Sequence, residues 1–107
     1  MKLDISIRSS DRNVGKEVVI GQIADGITIE RKMILREAIG VSFLDYVIRI
    51  GEGIAIQVAA TLIAKYLYDK LKDRKDTNLT INYKSVEINA EKIEQLIINI
   101  EKENKDG

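Results

Sequence analysis

Residues 2–8 read K-L-D-I-S-I-R. Leu3, Ile5 and Ile7 fall on one side of an extended backbone, and Lys2, Asp4, Ser6 and Arg8 on the other. Successive side chains of a strand point to opposite faces, so this strict period of two describes a half-buried strand. A sheet of such strands is antiparallel or mixed, and needs helices over its apolar face alone.

Working outward, Ser9 to Gly15 is a polar loop. Residues 17–23 and 27–32 flank Ala24-Asp25-Gly26, and Asp-Gly is a strong hairpin signal because both residues tolerate turn conformations. Ile27 and Ile29 alternate with Thr28 and Glu30. Residues 33–40 read two ways, as an extension of this strand or as the start of a helix. Ser42-Phe43-Leu44-Asp45 matches the spacing of a capping box, with Asp in place of the usual Glu or Gln. A short helix is therefore expected over 43–50, ending at Gly51.

A long helix is expected from about Ile54 to Asp73. Gln57, Thr61, Lys65, Tyr68 and Lys72 form its polar stripe, and Ile56, Ala60, Ile63 and Leu67 face the sheet. A helix this apolar is buried against more than one neighbour. Residues 78–83 alternate again. Lys84-Ser85 is read as a tight turn before a fifth strand carrying Val86 and Ile88. Asn89 suits the N-cap of a last helix, where Ile93, Leu96, Ile97 and Ile100 make one stripe before residues 102–107 fray. The order is β-β-β-α-α-β-β-α. The expected fold is α+β, a two-layer sandwich of a mainly antiparallel sheet of about five strands with helices on one face, formed as a single domain over residues 1–107.

Composition narrows the chemistry. Cys and His are both absent, which removes thiol nucleophiles, disulfides, the usual zinc sites and Ser–His–Asp catalysis. Lys and Arg number 17 against 17 Asp and Glu, and this balance argues against nucleic acid as a partner, because phosphate binding needs a basic excess or face. It also leaves little self-repulsion between copies. The apolar run from Ile54 to Tyr68 contains Gln57 and Lys65 and is shorter than the ~20 residues of a membrane span. The N-terminus alternates where a signal peptide would be continuously apolar. The expected location is cytoplasmic, with no membrane partner.

Each chemical constellation has a plainer explanation. Gly51-Glu52-Gly53 precedes a helix, as phosphate-binding loops do, but no P-loop Lys follows and Glu52 sits where the anion would lie. It reads as an interhelical turn. Gly51, Ala55, Ala59, Ala60 and Ala64 recur near helical spacing and let the helix lie close to its sheet or to another helix. Glu30 with Glu37, and Asp69 with Asp73, read as surface charges rather than catalytic pairs. Lys70, Lys72, Arg74 and Lys75 are diluted by Asp69, Asp73 and Asp76. No catalytic, cofactor-binding or metal-ligating residue is assigned, and no cofactor is expected. Phe43, Tyr46 and Val47 are the candidate interface, for a protein partner or a second copy.

The second half has a distinctive layout. G-E-G-I-A-I-Q-V-A-A-T-L-I-A-K-Y-L-Y-D-K-L-K over 51–72 is an apolar, Ala-rich helix ending in basic residues. L-T-I-N-Y-K-S-V-E-I-N-A-E-K-I-E-Q-L-I over 79–97 is two short strands and an amphipathic helix. Over about residues 50–100 this layout resembles the effector-associated constant component 1 family of small bacterial proteins. The resemblance implies a noncatalytic partner of effector proteins in bacterial conflict systems, and it carries over no functional residue. The expected function is a binding, adaptor or assembly protein. The alternatives are a small ligand- or nucleotide-binding protein or enzyme working without His or Cys, and a nucleic-acid-binding domain.

Overall fold

The computed structural model describes residues 1–11, 13–18, 20–38, 41–74 and 76–106, with the backbone alone for 33–38 and 105–106. The elements run β1 (Lys2–Ser9), α1 (Val14–Glu17), β2 (Gly21–Ala24), β3 (Ile27–Ala38), β4 (Val41–Ile50), α2 (Ile56–Leu71), β5 (Thr77–Ile81), β6 (Lys84–Val86) and α3 (Ala90–Asp106). The strands form one sheet in the order β2-β3-β4-β1-β5-β6 with every pairing antiparallel. The fold is α+β, as the alternation over residues 2–8 required, with six strands where about five were expected.

Strand β1 sits inside the sheet, between β4 and β5. Leu3, Ile5 and Ile7 stand opposite Ile48, Tyr46 and Leu44 on one side, and Ile5 and Ile7 stand opposite Ile81 and Leu79 on the other. All of these side chains are buried, and they join Ile27 and Ile29 of β3 in one core. Helices α2 and α3 close that core with Ala59, Ala60, Ile63, Ala64, Leu67 and Leu71 from the first and Ile93, Ile97 and Ile100 from the second. The positions recur every three or four residues, as one helix face demands. Of the four α2 residues expected on the sheet, Ala60, Ile63 and Leu67 are fully buried and Ile56 partly so. Asn89 caps α3 by accepting a hydrogen bond from the Lys92 N–H (3.0 Å), and α3 continues through Asp106, past the expected fraying near residue 102.

Three sequence expectations are corrected. Residues 43–50 are not a helix but most of β4, the strand between β1 and β3. Leu44, Tyr46, Ile48 and Ile50 point to the core, and Phe43, Asp45, Val47 and Arg49 to the opposite face. The apolar residues on both faces mimic a helical pattern, but pairing along both edges prevails. The would-be capping carboxylate of Asp45 instead accepts a hydrogen bond from Ser6 Oγ on β1 (2.8 Å). Residues 17–23 are not one strand. A single helical turn, α1, buries Val14, the following Val18 is also buried, and β2 begins only at Gly21. The last hairpin turns at Asn82-Tyr83, not at Lys84-Ser85, so its second strand is Lys84–Val86 and Ile88 lies beyond it. The ambiguous segment resolves as strand over 33–38, and residues 39 and 40 lie outside the described chain, as does Lys75 of the basic cluster. The Asp25-Gly26 hairpin forms as expected, with Gly26 at φ 77°.

The end of α2 is tied to the loop before α1 by charge. Arg74 Nη1 lies 2.7 Å from Asp11 Oδ2, and Nη2 lies 3.1 Å from Glu17 Oε1. The Asn13 backbone N–H and, next, the Arg74 guanidinium hold the Asp11 carboxyl below its ordinary pKa. A carboxylate whose pKa falls on folding stabilises the native state above the ordinary carboxylate range, and that gain is lost as pH falls through the depressed value. The melting-temperature advantage of the wild type over Asp11→Asn should therefore shrink as pH drops through the carboxylate range. An advantage independent of pH would contradict this account.

Ile63 is fully buried at the middle of α2. Ile63→Asp places a carboxylate there without a partner, at a cost of several kcal/mol, comparable to the ~5–15 kcal/mol of an entire domain. Circular dichroism should show loss of the cooperative melt. An unchanged melting temperature would refute this core assignment.

Candidate interaction site

The residues nominated from sequence separate in the structure. Tyr46 is fully buried on the helix-covered face of β4, and its hydroxyl accepts a hydrogen bond from Arg31 Nη2 (3.4 Å). It has no surface to offer a partner. Phe43 and Val47 point to the other face of the sheet, where the Arg8 guanidinium lies 5.3 Å from the Phe43 ring centre and Val47 is only 5% exposed. Around them the charges are already matched: Lys32 meets Asp4 at 3.0 Å, and Arg49 approaches Glu30 at 3.7 Å. The Lys32 amine is held above its ordinary pKa by its hydrogen bond to Asp4. This is a solvated face of paired charges rather than an apolar contact surface.

The other candidates have structural roles. Gly51-Glu52-Gly53 joins β4 to α2, so it is a strand-to-helix turn. Ala59, Ala60 and Ala64 are spent inside the chain, beneath α2. Tyr66 and Tyr68 lie partly buried, with Lys70 and Lys72 about 5.6 and 5.9 Å from their ring centres. Among the described residues, no helix is long and apolar enough to cross a membrane and no acidic cluster has the arrangement of a metal site.

The unexpected feature is the β5–β6 turn. Ile81 pairs with Lys84, which leaves a two-residue loop. Both residues have positive φ, 49° at Asn82 and 67° at Tyr83, as a type I′ hairpin turn requires. Asn at the first position fits, because Asn tolerates the left-handed region. It is also locked. The Asn82 N–H donates to the Asp4 carbonyl (2.8 Å), and Asn82 Oδ1 accepts from the Asp4 N–H (2.8 Å). The second position favours glycine, yet Tyr83 occupies it with 85% of its surface exposed. A bulky residue in this conformation costs about 1–2 kcal/mol, and a ring so exposed recovers little of it by packing. Neither Asn82 nor Tyr83 stood out in the sequence, where the tyrosine looked like one more residue of an alternating strand.

The registers bring other features to the same end of the sheet. Lys2 pairs with Arg49, the Ile50 N–H donates to the Met1 carbonyl, and Ile27 stands opposite Ile50. Met1, the turn after β4 and the β5–β6 tip therefore share one end. A groove of about 520 Å³ opens there, lined by Met1, Ile50, the 51–53 turn, Ile54, Ala55 and Ile56, with Glu101 and Asn104 of α3 opposite. Ile54 packs so tightly over Gly26 that a Cβ on that glycine would lie 2.5 Å from its Cδ1. The Lys84 amine bonds Glu103 at 2.7 Å, fastening the hairpin tip to α3 beside the groove. Comparison with protein-family models, curated proteins and solved structures gives no match.

Asn82→Ala removes the hydrogen bond to the Asp4 N–H and forces alanine into the left-handed region, so it should lower stability by about 1–2 kcal/mol. Urea denaturation measures the change. An unaltered midpoint would show that the turn is not held in this way.

Proposed function

We propose that this protein is a noncatalytic binding and assembly module that recognises another protein through its β5–β6 tip. The observation that carries this reading is Tyr83, a solvent-exposed aromatic fixed at positive φ on a two-residue turn. Backbone conformations of this cost persist where the surroundings over-determine them, and they cluster at binding sites. Tyrosine is also among the residues that most often anchor protein interfaces, because it offers a large rigid surface and a polar tip. Held by Asn82, the ring is presented with its backbone already ordered, which lowers the entropy lost on binding. The layout of residues 50–100 resembles effector-associated constant component 1 proteins, so the proposed setting is the cytoplasm of a bacterium and the proposed partner an effector of a conflict system. The α2, β5, β6 and α3 elements that carry the resemblance also build the tip and one wall of the groove.

Tyr83→Gly tests the reading, since glycine relieves the strain and deletes the ring. The variant should be more stable by about 1 kcal/mol in denaturant. It should also lose the partner that tagged wild-type protein retains on co-purification from its host. A partner bound equally by wild type and Tyr83→Gly would refute this role, whatever the change in stability.

A further inference from the structure

The exposed tyrosine and the apolar groove lie at one end of the same molecule, and each is what the other lacks. We infer that a second copy of this chain is a partner: in an end-to-end, two-fold dimer, Tyr83 of each protomer enters the partner's groove beside Ile54 and Ala55. The inference rests on the reading of Tyr83 as a binding anchor and adds the identity of its receptor.

Symmetry makes the arrangement self-consistent. In a two-fold dimer, if one residue touches a second, the second touches the first across the axis. A knob and a hole on the same end therefore satisfy each other twice and close the assembly, whereas a knob and hole at opposite ends would build an open fibre. Strand registers place both features at the Met1 end. The longest dimension, 41 Å, exceeds the other two, 24 and 23 Å.

Size and chemistry agree with this occupant. At about 520 Å³, the groove falls within the ~300–1,000 Å³ of typical ligand pockets and admits an aromatic ring. Ile50, Ile54, Ala55 and Ile56 supply an apolar floor. Glu101 and Asn104 on the opposite wall supply acceptors for the phenol O–H, which as a donor seeks a partner once buried. The charges are complementary too. Two carboxylates, Glu52 and Glu101, stand against the single Met1 ammonium, which bonds the Ile50 carbonyl, so the rim carries a net negative charge, while Lys2 lies exposed on β1, two positions from Asp4, to which the tip is bonded. Lys2 of one protomer would approach the acidic rim of the other, an attraction that salt weakens.

Analytical ultracentrifugation from micromolar to millimolar protein tests the inference with three proteins. Wild type should associate reversibly to a dimer. Tyr83→Gly removes the knob, and Ala55→Phe fills the groove at an exposed position; each should weaken the dimer at least thirtyfold, about what losing ~2 kcal/mol at one anchor implies. Circular dichroism and melting temperature establish that both variants remain folded. The decisive measurement is a mixture of the two, because one intact groove then meets one intact tyrosine. The mixture should form more heterodimer than either variant forms homodimer. A wild type that stays monomeric at millimolar concentration overturns the inference. A dimer unaffected by Tyr83→Gly, or a mixture no better associated than its components, overturns it too. In each case co-purification of another partner with wild type, lost in Tyr83→Gly, separately decides whether Tyr83 is an anchor.

Discussion

The structure depends on the pairing of β1 along both of its edges. Leu3, Ile5 and Ile7 are buried because β4 and β5 flank them and α2 and α3 cover them. Their period of two forces Lys2, Asp4, Ser6 and Arg8 to the opposite face, where Ser6 meets Asp45 and Asp4 meets Lys32. A slip of one residue would exchange the faces, burying three ionisable side chains and exposing three large aliphatic ones. The two long-range ladders thus fix where β4 ends, where α2 begins and where the last hairpin must turn.

The tip of that hairpin follows from the same constraint. Strand β5 runs beside β1 as far as Ile81, opposite Ile5, and Asp4 then takes both backbone-directed bonds of Asn82. The chain reverses there, which leaves Tyr83 in a conformation better suited to glycine. Leu3, Ile5, Ile7, Ile27, Ile29, Leu44, Tyr46, Ile48, Leu79 and Ile81 of the sheet are all buried in the core, whereas the Tyr83 ring stands 85% exposed beyond the end of β5. The recognition role proposed for Tyr83 draws on this rigidity, because a backbone already ordered loses less entropy on binding.

The neighbouring groove follows from how α2 starts. Gly53, at φ 84°, lets the chain turn from β4 into α2, and the Gly51 N–H donates to the Gly26 carbonyl at 2.8 Å. Ile54 folds onto Gly26, where the missing side chain leaves room. Helix α3 is long enough to bring Glu101 and Asn104 opposite this turn. The groove is thus walled by the start of α2 and the end of α3, with Glu52 and Glu101 among its lining residues.

Local pattern by itself determined the α+β class, the one-sided sheet, the Asp25-Gly26 hairpin, the core face of α2 and the Asn89 cap. Each depends on contacts between residues close in sequence, or on a periodicity that burial on one face imposes. Tertiary structure alone decided β4, because V-S-F-L-D-Y-V-I-R-I carries apolar residues on both faces and its helical and extended readings differ only in whether strands exist on either side. It likewise decided the last turn. Turning at 84–85 would set Ile81 opposite Ile88, as apolar a match as the observed Leu79 with Val86, and the choice fell to two hydrogen bonds between Asn82 and the backbone of Asp4, 78 residues away: one donated by the Asn82 N–H to the Asp4 carbonyl, one accepted by Asn82 Oδ1 from the Asp4 N–H. Tyr83 and the groove were illegible for the same reason: both exist only where segments distant in the chain meet at one end of the sheet.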